Sequence, residues 1–238
     1  FWKWVSQWSI SIRKPSDLGF SDERYVLPEL IEKQTVVANE TPLAINGQMS
    51  LFNMPAINFR EIKAETRATL TQRCQQAVRL ANKHETSVYW VNLNDEASII
   101  LSEDNEAVEV KGQMNLEKKE EILLDFSKGY IKKLVTKTSI TAFGLNWQHC
   151  NHTTYFPTYS YEQYYQAIRR FWRFGQERPV TVDLVLSDGQ TRVMESLQAK
   201  KDKADEMFTK LSNNVNSVFA IQQREFAQPI IKPIFKAT

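Results

Sequence analysis

Between residues 88 and 186 two kinds of hydrophobic pattern alternate along the chain. Short runs dense in apolar residues, at 88–91, 107–110, 131–135, 153–156 and 180–186, read as strands buried on both faces. Between them, apolar residues recur three and four apart, which predicts helices over 95–101, 116–126 and 160–174. In the second of these Leu116, Ile122, Leu123 and Phe126 face inward. A long helix is predicted over 59–83, where Phe59, Ile62, Leu70, Cys74, Ala77, Val78 and Ala81 share a face, and a long polar helix from about Gln190. This alternation predicts an α/β fold with a mostly parallel central sheet flanked by helices. Ligands of such sheets lie beyond the carboxyl ends of the strands. The loops after Val91, Val110, Val135 and Phe156 are therefore where function is expected.

Outside this region the pattern is irregular. Trp8, Ile10 and Ile12 alternate with serines, which predicts a strand with one buried face, stopped at Lys14-Pro15 and succeeded by the turn residues Ser16-Asp17-Leu18-Gly19. Pro28, Pro42 and Pro55 punctuate the chain from there to the first long helix, so residues 1–58 read as a connector with one or two short strands. The closing segment from Glu225 to Thr238 is apolar, carries Pro229 and Pro233, and reads as a docking tail. The expected divisions are 1–58, 59–212 and 213–238.

Two segments carry candidate chemistry. In the predicted helix over 160–174, Ser160 and Gln163 have the spacing of a capping box, and Gly175 suits a left-handed helix end. Gln166, Arg170 and Arg173 stand at i, i+4 and i+7, which sets an amide and two guanidiniums on one stripe. Ala167, Ile168, Phe171 and Trp172 cover the neighbouring face and anchor it to the sheet. Fixed arginines suit phosphate, because each offers a planar fork of donors and stays charged. The plainer reading of the same spacing is a solvated basic face. The second segment, Thr136 to Cys150, leaves a predicted strand end with several hydroxyls and the single Gly144. Hydroxyls and exposed amides there suit a phosphate backbone, and an ordinary polar loop with a glycine turn is the alternative.

Composition narrows the choices. With 42% apolar residues the chain can fold around a core, and with a net charge of +2 it is no purely electrostatic nucleic-acid binder, so any such contact needs a local basic patch. No apolar run approaches the roughly 18 residues of a membrane span. The opening Phe1-Trp2-Lys3-Trp4 lacks signal-peptide design and reads as a chain that starts in mid-fold. Two cysteines, Cys74 and Cys150, argue for a reducing compartment rather than a disulfide framework. His149-Cys150-Asn151-His152 is short of the four ligands zinc needs, because Cys74 and His84 do not form a second pair. No metal site is expected.

Taken together the segments carry a resemblance. Gln166-Ala-Ile-Arg-Arg170-Phe-Trp-Arg173-Phe-Gly175-Gln176 resembles the sixth motif of superfamily-two DEAD/DEAH helicases, above all the Swi/Snf-like branch, which reads Gln-Ala-x-x-Arg-x-x-Arg-x-Gly-Gln. The stretch from Thr138 to Asn146 is similar to the fifth motif, and that from Val88 to Asn92 to the strand of the fourth. Gly112 with Lys119 is similar to the family's Gly…Arg stretch. Order and intervals agree over about residues 85–187, and the stretch from Ile12 to Phe20 is similar to the end of the first lobe in phage-type relatives. The resemblance implies a three-layer RecA-like (P-loop NTPase-like) C-terminal lobe. It implies that Arg170 and Arg173 reach an ATP γ-phosphate, that Gln166 couples nucleotide state to nucleic-acid grip, and that Gly144 and Asn146 face the nucleotide. Thr138, Asn92, Gly112 and Lys119 would touch the sugar-phosphate track. Three departures stand out: Lys137 replaces the usual serine, Ile140-Thr141-Ala142 replaces Ala-Gly-Gly, and Lys119 stands where arginine is usual.

What the chain lacks shapes the expectation further. A phosphate-cradling P-loop needs glycines five apart, and those at 19, 47, 112, 129, 144, 175 and 189 include no such pair. Asp95-Glu96 comes after Asn92-Leu93-Asn94 rather than a strand end, and reads as a helix start with acids favoured by the dipole. The expectation is the second lobe of an ATP-dependent helicase or translocase, inactive in ATP hydrolysis alone, with ATP and Mg²⁺ held on a separate N-terminal lobe. Its partners would be that lobe and the DNA or RNA backbone, in the cytoplasm of a bacterial or phage-infected cell, with no membrane. The alternatives are an ATP-independent nucleic-acid-binding module, using Arg169, Arg170, Arg173 and Arg178 with Tyr165 and Trp172, or a protein-interaction scaffold.

Overall fold

The computed structural model describes residues 25–38, 59–140 and 145–225, the short pieces 2–5, 14–18 and 20–23, positions 8 and 12, and the paired residues 44–45 and 48–49. The chain divides into two compact units, one over 27–201 and one made of 1–26 with 202–238.

The larger unit is built on strands β1 (Leu30–Val37), β4 (Ser87–Trp90), β5 (Ala107–Val110), β6 (Lys133–Thr136), β7 (His152–Tyr155) and β8 (Val180–Ser187). They form one sheet in the order β1-β8-β7-β4-β6-β5, and every neighbouring pair is parallel. A separate two-residue pairing joins β2 (Ala44–Ile45) to β3 (Gln48–Met49). Helices α2 (Phe59–Ala68), α3 (Leu70–Ala81), α4 (Asn94–Glu103), α5 (Leu116–Ser127) and α6 (Tyr161–Ile168) connect the strands, and α7 (Thr191–Glu225) comes after them. Parallel strands need such crossovers, and both faces of the sheet become covered. On one face Cys74, Ala77 and Ala81 of α3 and Ala97 and Ile100 of α4 pack on Tyr89. On the other, Ile122 and Phe126 of α5 and Ala167 and Ile168 of α6 pack on Val88, Trp90 and Leu134. This is a three-layer α/β fold with an all-parallel sheet, as the alternation predicts.

Four features differ from the sequence expectation. First, the strand β1 lies inside the stretch read as a connector. Its Leu30-Ile-Glu-Lys-Gln-Thr-Val-Val37 has polar residues at its centre because it is an edge strand, half exposed, paired only with β8. The compact unit that holds this strand spans 27–201. Second, the long helix over 59–83 is two, parted at Thr69. The Thr69 hydroxyl donates to the Glu65 carbonyl (2.9 Å), a back-bond that competes with the helix and bends it. Third, Trp8 and Ile12 are exposed and not in a strand, and α1 (Trp2–Val5) precedes them; Ile10 lies outside the described residues. Fourth, α6 stops at Ile168 instead of running to 174. The docking-tail reading falls on residues beyond 225, outside those described.

Candidate functional site

The end of α6 decides how the arginines stand. Ser160 caps the helix as expected, its hydroxyl accepting the Gln163 N–H at 3.3 Å. Tyr164, Ala167 and Ile168 are its buried face. Beyond Ile168 the chain turns so that Phe171, fully buried, packs 5.7 Å from Trp147 and 6.4 Å from Trp90. The Trp172 indole donates to the Pro28 carbonyl at 2.6 Å. A continued helix cannot satisfy both aromatic anchors, and tertiary packing overrides the local pattern. The single stripe of Gln166, Arg170 and Arg173 is therefore not formed. Gln166 is exposed on α6 and its amide donates to Glu162 (3.1 Å). Arg170 lies just past the helix, only 8% exposed, its guanidinium 5.7 Å from the Trp147 ring centroid. Arg173 is half-buried in the next turn. Burial, and then the charge of Arg173, hold Arg170 below the usual arginine range, so the two cations feel each other across this turn.

The two segments singled out in the sequence are knitted together. The Trp147 N–H donates to the Arg170 carbonyl at 3.0 Å. Gln176, buried, donates its amide to the carbonyls of Gln148 (3.0 Å), Cys150 (3.3 Å) and Phe171 (3.2 Å). The Gln148 side chain donates to the Phe174 carbonyl and lies against Gly175. Gly175 holds φ +92°, as expected of it, though in a turn and not as a helix cap. Asn146 is tied to the same junction: its amide donates to the Gln148 side-chain oxygen at 3.1 Å, and its side-chain oxygen accepts the Gln148 backbone N–H at 3.3 Å. Gly144 lies outside the described residues. Sequence reasoning misses Gln148 and Gln176 as parts of the site; the only signal for them is their place at the ends of the two motif segments.

The carboxyl ends of β4, β5 and β6 enclose a cleft of about 390 Å³, lined by Asn94, Lys111, Gly112, Lys137, Ser139 and Ile140 among others. Lys137 donates to the Asn94 side-chain oxygen at 2.7 Å, and Lys111 pairs with Glu109 at 3.1 Å. Thr138 sits in the turn between two lining residues. Gly112 is exposed in the wall, and Lys119 folds back to donate to its carbonyl at 2.6 Å. Asn92 is not in the lining: its amide donates to the Phe156 carbonyl at 2.8 Å. Hydroxyls, amides and lysines at a strand-end cleft can take phosphate oxygens. Asp95 and Glu96 do open α4, and the Glu96 carboxylate accepts the N–H groups of Asn92 (2.8 Å) and Leu93 (2.9 Å).

The His149–His152 segment is otherwise engaged. His152 is fully buried between Ser87 (2.8 Å) and Asp183 (2.9 Å), and the Cys150 thiol donates to the His152 carbonyl at 3.2 Å. Burial pushes the Cys150 thiol up to about 11, away from metal-binding thiolate. Among the described residues no cluster of ligating side chains could hold a metal, and no helix is long and apolar enough to cross a membrane.

Several solved structures are similar to the chain. The C-terminal domain of S. cerevisiae Dbp5, solved with Gle1 and IP6, is 15% identical, with 60% of this chain and 93% of that one covered and a TM-score of 0.47. The C-terminal domain of the DEAD-box protein Dbp5 gives 16%, 61%, 91% and 0.47, and the C-terminal part of the Fun30 ATPase domain gives 13%, 59%, 48% and 0.44, in the same order. No curated protein matches the chain in sequence. Residues 67–175 match the family described as helicase conserved C-terminal domain, a span that holds β4 to α6, the strand-end cleft and the arginine turn.

Proposed function

We propose that this lobe is the second half of an ATP-dependent nucleic-acid helicase or translocase of the Swi/Snf-like superfamily-two type. The observation that carries the reading is the hydrogen-bonded junction between residues 146–150 and 170–176, which makes one body of the two motif segments. Ile140, in the cleft lining, packs in one hydrophobic cluster with Trp147 and Phe171, the anchors of the turn that holds Arg170 and Arg173. A change at either end can be felt at the other through a contiguous packed path.

In this reading ATP, with Mg²⁺, sits on a lobe that carries the P-loop, and supplies the free energy of terminal phosphoryl transfer. The residues of this chain fit part of that group only. Arg173, the more exposed of the pair, meets the terminal phosphate. Arg170, held on Trp147, adds positive field and orients the turn. Gln166 and Asn146 both precede them in the sequence, and Asn146 is tied to their turn through Gln148. Lys111, Lys137, Thr138 and the Gly112 backbone face the sugar-phosphate track, which makes the grip salt-sensitive and weakly selective for sequence. Asn92 serves the cleft from behind, by fixing its loop.

The test joins this chain to a phosphate-binding lobe and measures nucleic-acid-stimulated ATP turnover. Arg173→Ala lowers it about a thousandfold or more. Lys137→Ala leaves turnover at saturating nucleic acid near the starting value, and reduces the slope of log affinity against log salt by about one. Turnover unchanged in both Arg170→Ala and Arg173→Ala would end the motor reading. Loss of nucleic-acid binding in those same variants would instead favour the ATP-independent module, for which Arg169, placed over the rings of Tyr165 (5.2 Å) and Trp172 (4.9 Å), is the best feature.

A further inference from the structure

Behind the strand-end cleft lies a fully buried ion pair. Arg73 of α3 is 0% exposed and Glu96 of α4 is 1% exposed, and both guanidinium ends of Arg73 donate to the same carboxylate oxygen, Oε1, at 3.2 and 3.3 Å. The remaining Arg73 donors reach the Thr66 carbonyl (2.8 Å) and the Thr69 hydroxyl (3.2 Å), and its plane lies 5.0 Å from the Phe156 ring centroid. The other oxygen of Glu96 takes the backbone N–H groups of Asn92 and Leu93. The Asn92 amide in turn donates to the Phe156 carbonyl.

Replacing a buried ion pair by apolar groups of the same bulk is often neutral or stabilising, so stability alone does not account for its presence. Its geometry gives it another use. One carboxylate oxygen is held by a cation anchored on α3, and the other is spent on the loop after β4. That loop ends at Asn94, whose side chain forms the cleft wall and receives Lys137. The same arginine braces Phe156, in the loop that leads from β7 toward α6. β4 and β7 are neighbours in the sheet, and their outgoing chains diverge, one toward β5 and one toward β8. This switch point lies beside the cleft, on the opposite side of β4 from β6, and Arg73 braces the outgoing chains of both strands there.

We propose that Arg73 and Glu96 are positioning residues, a buried strut that fixes the Asn92–Asn94 wall of the strand-end cleft and so sets the lobe's grip on a nucleic-acid phosphate without touching it. The inference rests on the nucleic-acid reading of the cleft. Without the strut, Asn92 and Leu93 lose their acceptor, Asn94 is free to move, and Lys137 loses its partner and swings into solvent. The cost falls on affinity and on the count of phosphates engaged together.

The experiment compares the whole chain with the paired variant Arg73→Met, Glu96→Leu, which removes the strut while leaving no unpaired buried charge. Thermal unfolding verifies that the variant folds. Hydrogen exchange at the Asn92 and Leu93 amides reads the loop directly, and fluorescence anisotropy with a single-stranded oligonucleotide across a salt series reads the grip. The expected result is a folded variant whose two amides exchange faster, whose affinity falls roughly three- to thirtyfold, and whose salt slope is shallower. Should the pair not fold, Glu96→Gln keeps the shape and is put through the same three measurements. Unchanged amide exchange in a folded variant overturns the strut. Faster exchange with unchanged affinity overturns its link to the grip. An oligonucleotide that does not bind the unaltered chain ends the nucleic-acid reading itself, and this inference with it.

Discussion

At the scale of single residues, the arginine turn is held by atoms that the hydrophobic pattern does not report. Gly175 is the clearest case. Its φ of +92° is costly for any residue with a side chain, and a Cβ there stands 2.7 Å from the Gln148 amide nitrogen. Gly175→Ala is expected to cost about 1–2 kcal/mol in urea unfolding and to loosen Gln148 from the Phe174 carbonyl. An unchanged midpoint would mean the turn relaxes freely. The glycine was legible in the sequence as a left-handed position. Its setting was not, because the Trp147 and Gln176 bonds that end α6 early join residues far apart in the chain. For the same reason the order of Gln166, Arg170 and Arg173 could be read from spacing, while their shared stripe could not.

At the scale of elements, runs buried on both faces were the easiest to find. β4 and β6 are wholly buried, and their apolar density marks them in any context. β1 is the opposite case: its Glu-Lys-Gln centre suits an edge, where charge discourages pairing with another chain, and the same polarity hides it. Another tie between elements is the stack of His84, after α3, on His152 of β7, with centroids 3.8 Å apart and planes within 9°. Burial, and then the neighbouring His152, hold His84 below the ordinary histidine range; burial, and then Arg178, do the same for His149. The unfolded chain protonates these rings near pH 6.5, while the folded chain resists until lower pH. Their contribution is therefore complete above that pH and is lost progressively as pH falls through the depressed values. Unfolding free energy is expected to drop between about pH 7.5 and about pH 5, with a flatter profile in His84→Gln. A profile identical in the two proteins would remove His84 from the account.

At the scale of the whole molecule, the three-layer arrangement was available from the strand–helix alternation, and handedness and layering follow once the strands are parallel. The strand order was not available, since no local pattern states that β1 pairs with a strand about 150 residues later. That long-range pairing has a practical consequence for anyone trimming the protein. β8 reads Val-Thr-Val-Asp-Leu-Val-Leu-Ser, and β1 shields its outer rim along all eight positions. A shortened version beginning at Pro55, ahead of the first helix of the lobe, strips that shield and leaves a long apolar ladder of unsatisfied amides and carbonyls. Such a product is expected to self-associate on size-exclusion chromatography, whereas one beginning at Leu27 should elute as a single small species. The useful boundary of this lobe is thus set by a strand that its own sequence disguises.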